Sequence, residues 1–134
     1  MEKEFVTYEQ ALSLKELEYY KNTLRVYSIR WKKLMDEEYA VRYDVDYAKA
    51  PLKQQVFKFF RDEYGYDVDY IRMPKDEVFP ITKDSEIKWT VIIYRVYTND
   101  FIDVETYFNT YEEAENACID KLLTIAKQQK DGII

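Results

Sequence analysis

From Lys88 to Tyr97 the chain is apolar on both faces of a two-residue period, with Trp89, Val91 and Ile93 against Ile92, Tyr94 and Val96. A strand without a polar face must be covered on both sides, so this segment is expected at the centre of a sheet. The rest of the chain has to supply its neighbours. Thr98-Asn99-Asp100 offers a turn, and Ile102 to Phe108 reads as the adjacent hairpin strand. Tyr66 to Met73 also alternates as a strand, and the proline-bearing stretch from Pro74 to Ser85 reads as loop.

Nearer the N-terminus, Leu24 to Lys33 alternates with Tyr27, Ile29 and Trp31 on one face and Leu24, Val26 and Ser28 on the other. Tyr39 to Tyr47 is predicted as its hairpin partner, turning at Met35-Asp36-Glu37. Helices are signalled by their ends. Thr7-Tyr8-Glu9-Gln10 is a capping box that starts a helix from Tyr8 to about Leu17, and Thr110-Tyr111-Glu112-Glu113 repeats it for a long helix to about Lys130. Between them Ala50-Pro51 opens a helix that Gly65 closes, with Leu52, Val56, Phe59 and Phe60 on its apolar stripe and Phe57 and Tyr64 at the margin. In the last helix Ala114, Cys118, Leu122 and Ile125 share a face, which makes Cys118 a core residue.

The predicted order is α-β-β-α-β-β-β-α. It implies an α+β single domain over residues 1–134, with a mostly antiparallel sheet of about five strands and three helices packed mainly on one face. At 134 residues and 16.3 kDa the chain buries about two thirds of its unfolded surface and needs neither disulfide nor metal to fold.

The chemistry is bounded by what is scarce. The sequence holds no His, one Cys and only two Gly. Without His the usual general base, the Ser-His and Cys-His nucleophile systems and most zinc sites are gone. Gly65 and Gly132 alone build neither a phosphate-cradling loop nor a dinucleotide fingerprint. The chain is therefore expected to be no enzyme and to take no cofactor, although carboxylate, Tyr or Lys chemistry stays open. Apolar runs such as Val91-Ile92-Ile93 fall far short of the roughly 20 residues of a membrane helix, and Met1-Glu2-Lys3-Glu4 lacks the features of a signal peptide. A cytoplasmic location without membrane contact is the expectation.

Three constellations could carry function. Tyr-Asp-Val-Asp-Tyr occurs twice, at Tyr43 to Tyr47 and Tyr66 to Tyr70, and in strands this spacing sets Asp44 with Asp46 and Asp67 with Asp69 on one face. If the strands were neighbours the four carboxylates could bind a hard cation or form a catalytic pair. The solvated face of a half-buried strand is the better reading, so no metal is expected. Second, Arg25, Arg30, Lys32 and Lys33 interleave with Tyr27 and Trp31 in a segment without acids, Lys21 to Lys33, which resembles a single-stranded nucleic-acid platform. The acids that follow, with a net charge of -6, oppose this use. The same acidity leaves room for a decoy that occupies a basic nucleic-acid groove.

Third, 14 Tyr, 7 Phe and 2 Trp exceed what one core of this size readily holds. Phe57 and Tyr64 at the helix margin, and Tyr19, Tyr20, Tyr97 and Tyr107 near strand ends, are the candidates for contact with a protein partner or a second copy of the chain.

Three segments are also familiar: Tyr8-Glu9-Gln10-Ala11-Leu12 with Leu14-Lys15-Glu16-Leu17; Ala50-Pro51 with Gln54, Phe57 and Phe59-Phe60-Arg61; and Tyr111-Glu112-Glu113-Ala114-Glu115 with Ala117-Cys118 and Lys121-Leu122. In these the chain resembles a group of small proteins encoded by phages and prophages of gut bacteria. It departs after Leu17, where Glu18-Tyr19-Tyr20 replaces a Gly-Phe-Asp-Glu-Pro-Cys type turn, and at Phe59-Phe60-Arg61, which replaces Trp-Phe-Arg. The group has no established activity, so the resemblance assigns no site residues. It implies a phage or mobile-element context, with the host cytoplasm as the location and a host or phage factor as the partner.

Overall fold

A computed structural model describes residues 2–75, 79–80, 82–83, 86–98 and 100–132. It has two compact units, Met1–Val56 with Leu122–Ile134, and Phe57–Lys121. The fold is α+β with antiparallel sheets, as the sequence predicts. The strands do not share one sheet of about five: among the described residues six strands form two sheets of three.

In the first unit, Thr7 caps α1 (Tyr8–Glu16) as expected: its Oγ1 accepts the Gln10 amide at 3.2 Å, and Gln10 Oε1 accepts the Thr7 amide at 2.9 Å. Past the cap Leu17, Glu18 is left-handed (φ 62); its amide donates to Lys15 O and that of Tyr19 to Leu14 O. This is a Schellman closure with Glu where Gly is usual.

Strand β1 (Arg25–Ser28) is shorter than the Leu24 to Lys33 alternation suggests. Ser28 ends it, because its Oγ accepts the Trp31 amide at 3.1 Å and its carbonyl the Lys32 amide at 2.7 Å. The chain returns as β2 (Leu34–Asp36). Tyr39 to Tyr47 is not the predicted strand. Asp36 precedes α2 (Glu37–Arg42), whose first turn carries Glu37 and Glu38 and whose last carries Arg42, the charge order a helix dipole favours. A second Schellman closure follows, with Asp44 left-handed at φ 52 and Val45 donating to Ala40 O. Only then does β3 (Tyr47–Ala50) pair with the free edge of β1, giving the order β2-β1-β3. Val6, Leu14, Val26, Ala48 and Val56 are buried in this unit with Leu122, Ile125 and Ala126.

The middle helix starts later than Ala50-Pro51 because Ala50 is paired with Arg25 and the Pro51 carbonyl accepts the Val6 amide. Helix α3 (Lys53–Phe59) runs into a π-helical turn, Phe60–Tyr64, and ends at left-handed Gly65 (φ 71) as expected.

In the second unit β4 (Tyr66–Pro74), β5 (Ile87–Arg95) and β6 (Phe101–Phe108) form a meander with β5 central, as its two apolar faces predict. Val68 pairs with Ile93, Tyr70 with Val91 and Arg72 with Trp89. Val91 and Ile93 are buried with Phe59, Phe60, Tyr66, Ala114, Cys118 and Ile119. Parts of the expected loop (Asp76 to Val78, Ile81, Asp84, Ser85) and Asn99 of the expected turn lie outside the described residues; Lys75 N to Glu86 O and Arg95 N to Asp100 O close the two connections. Thr110 Oγ1 accepts the Glu113 amide at the start of α4 (Tyr111–Lys130), while the Glu113 carboxylate takes the Asn109 amide. Among the described residues no helix is long and apolar enough to cross a membrane.

Candidate functional site

Gly65 sets up the most exposed aromatic corner among the described residues of the second unit. Its carbonyl accepts the Val96 amide at 2.9 Å, which draws the end of β5 along the π-helical turn and lays the Tyr97 ring 3.6 Å from where a Cβ on Gly65 would stand. Asp62, Glu63, Tyr64, Arg95, Tyr97 and Thr98 line an open cleft of about 450 Å³ there. Tyr64 is half-buried and anchored by rings at 5.8 Å (Phe59), 5.6 Å (Phe60) and 6.0 Å (Tyr66, stacked). Tyr97 is 91% exposed, and Phe101, which opens β6 after the same turn as Asp100, is 73% exposed.

Two of the six predicted contact residues, Tyr64 and Tyr97, therefore meet in one place. Within the second unit, Phe57 and Tyr107 do not line this cleft, and Tyr19 and Tyr20 belong to the first unit. Tyr19 is buried, and burial pushes its phenol pKa up. Tyr20 is exposed under the Lys21 ammonium, 4.6 Å from its ring. Phe57 is half-buried edge-on to Tyr70, and Tyr107 is exposed on β6 with φ 69. Phe101, Asp62 and Glu63 were not singled out from the sequence; the signal for the two acids is their place just before the helix-closing Gly65.

The repeated pentapeptides fall in different sheets. The first is mostly not a strand: Tyr43 caps α2, Asp44 is left-handed, and only Tyr47 enters β3. Asp44 and Asp46 line a cleft of about 630 Å³ with Leu14, Lys15, Tyr19, Tyr47 and Lys49. Its cations are engaged, since Lys15 Nζ donates to Tyr47 O at 3.1 Å and lies 3.9 Å from Asp46, and Lys49 Nζ donates to Lys21 O at 3.0 Å. In β4, Asp67 Oδ1 accepts the Val68 amide, and Oδ2 accepts the Tyr94 hydroxyl at 3.4 Å; Asp69 is exposed. The condition for a four-carboxylate site, neighbouring strands, is not met. Among the described residues no three Cys, Asp or Glu side chains gather as metal ligands.

The basic segment divides. Arg25 pairs with Asp36 at 3.2 Å, and Tyr27 is half-buried with its hydroxyl donating to Val6 O at 2.7 Å. Arg30, Trp31, Lys32 and Lys33 are all exposed in the β1–β2 turn. Cys118 is fully buried, as expected; burial pushes its thiol up to about 12, although the neighbouring Tyr70 phenol pulls the other way. No protein-family model, curated protein or solved structure matches the chain.

Proposed function

We propose that the chain is a non-enzymatic accessory protein, of phage or prophage origin, that binds another protein of host or phage through the Tyr64 and Tyr97 corner. The observation that carries this reading is the 91% exposure of Tyr97 on a ring seated against Gly65. A Tyr side chain has only two rotatable angles to fix on binding, and covering its ring removes apolar area from water; such aromatics are the usual anchors of interfaces. Asp62 and Glu63, which line the cleft with the single cation Arg95, favour a partner with a basic rim, and a Lys or Arg of that partner fits over the Tyr97 face. A binding role also agrees with the chain's poor catalytic repertoire, since the buried Cys118 thiol is no nucleophile at neutral pH.

The test is capture from host lysate by the tagged chain and by its Tyr97→Ser variant, with and without nuclease, read by mass spectrometry. The expected result is a protein retained in both nuclease conditions by the wild type and at least about tenfold less by the variant. Retention that disappears with nuclease, or equal retention by Tyr97→Ser, would sink this reading.

A further inference from the structure

We propose that the β1–β2 hairpin turn is a stacking platform for single-stranded nucleic acid, a second binding site that shares no residue with the Tyr97 corner. The turn is fixed by its own hydrogen bonds: Trp31 N to Ser28 Oγ at 3.1 Å, Lys32 N to Ser28 O at 2.7 Å, Ser28 N to Lys33 O at 2.9 Å, and Ile29 N to Asp46 O at 3.0 Å. Trp31 is 54% exposed on it. The Arg30 guanidinium lies 5.4 Å from the Trp31 ring centroid, and the Lys32 ammonium 5.6 Å from that of Tyr8. Exposed Lys33 completes the turn.

What separates this turn from an ordinary charged surface is the pairing pattern. The nearby cations on the strands are neutralised, Arg25 by Asp36 and Lys49 by Glu37. Arg30, Lys32 and Lys33 form no ion pair among the described residues. Ion pairing with the acids of β2 and α2 therefore cancels only the strand cations and leaves Arg30 over the Trp31 indole, Lys32 over the Tyr8 ring and exposed Lys33 in the same turn.

A flat ring among cations matches a base beside its phosphates. The base has to be unstacked to reach a single indole, which selects a single strand over a duplex. The net charge of -6 does not forbid this, because at physiological ionic strength charges beyond about 8 Å are largely screened.

The probes are labelled oligothymidylate and oligouridylate of about a dozen nucleotides, read by fluorescence anisotropy between about 50 and 200 mM salt. A duplex and an acidic peptide of similar length serve as controls. The expected result is binding of a single strand whose log affinity falls with log salt at a slope of about -2, as three phosphate contacts imply. Trp31→Ala should weaken it about tenfold, Trp31→Phe much less, and Lys33→Glu should flatten the slope. DNA and RNA arms tell which backbone is preferred. The proposal is overturned by no single-strand binding at the lowest salt, by equal binding of the acidic peptide, or by affinity that Trp31→Ala leaves unchanged in a variant with the wild-type circular dichroism spectrum.

Discussion

The Tyr97 ring packs 3.6 Å from the Cβ position of Gly65, a distance of ordinary van der Waals contact. A methyl added at Gly65 therefore meets the ring without a clash, and its cost comes from the backbone, whose φ of 71 disfavours every residue with a Cβ. Gly65→Ala is expected to lower stability by about 1–2 kcal/mol, seen as a lower urea midpoint with unchanged slope, while Tyr97→Ser changes it by less than about 0.5 kcal/mol. A Tyr97→Ser loss as large as that of Gly65→Ala would mean that the ring holds the fold together, and the corner would no longer read as a contact surface.

Glu18 presents the opposite case, a left-handed residue that does carry a Cβ. Its φ is 62, and the two Schellman hydrogen bonds at the end of α1 hold it there. Glu18→Gly relieves left-handed strain of about 1–2 kcal/mol and gives back part of it as unfolded-chain entropy, for a net gain of about 0.5–1 kcal/mol. Asp44→Gly gains less, because Asp tolerates this conformation better. Equilibrium urea denaturation of the two variants checks both values, and a destabilised Glu18→Gly would show that the Glu side chain makes a compensating contact.

The difference between these positions also explains how much of the molecule was legible. Signals confined to a few neighbouring residues were read correctly: the Thr7 cap, the start and buried face of α4, the central β5 and the Gly65 stop. Tyr39 to Tyr47 misled because Tyr39, Val41, Tyr43, Val45 and Tyr47 alternate with smaller or charged residues like a strand. The helix-directing acids at 37 and 38 won locally, and the outcome leaves Val41 63% and Tyr43 61% exposed. The β5–β6 hairpin is legible from its turn, but the pairing in the first sheet is not. Nothing local says that β1 takes β2 on one edge and β3 on the other, which closes the first sheet at three strands. The same holds for the candidate site: Tyr64 and Tyr97 were each singled out, but their meeting depends on the Gly65–Val96 hydrogen bond.

Tyr70 joins two aromatic partners, Phe57 edge-on at 6.1 Å and Tyr111 at 4.9 Å, and its hydroxyl is buried near Cys118 and Tyr111 without a hydrogen bond of good geometry. Removing an unsatisfied buried hydroxyl while keeping the ring relieves a desolvation cost. Tyr70→Phe is expected to be neutral or stabilising by up to about 1 kcal/mol, measured by thermal and urea unfolding. A loss above about 1 kcal/mol would mean that the hydroxyl is bonded in solution.

The same buried group makes the fold sensitive to alkali. Burial raises the Cys118 thiol from 9.0 to about 12 and pushes the Tyr70 phenol above its ordinary 10.0. Both are neutral in the fold at pH 7, and both lose their proton earlier in the unfolded chain. Above pH 9 the unfolded state therefore binds fewer protons than the native state, and stability falls as pH rises. The thiol contributes a slope approaching about 1.4 kcal/mol per pH unit between pH 9 and about 12, and the phenol adds its own above pH 10. Below pH 9 neither group contributes a slope. In Cys118→Ala the alkaline decline begins about one pH unit later, whatever the constant loss from the missing sulfur. Urea midpoints from pH 7 to 11 for the wild type and this variant isolate the thiol. Parallel curves would mean that Cys118 ionises in the fold as readily as in the unfolded chain.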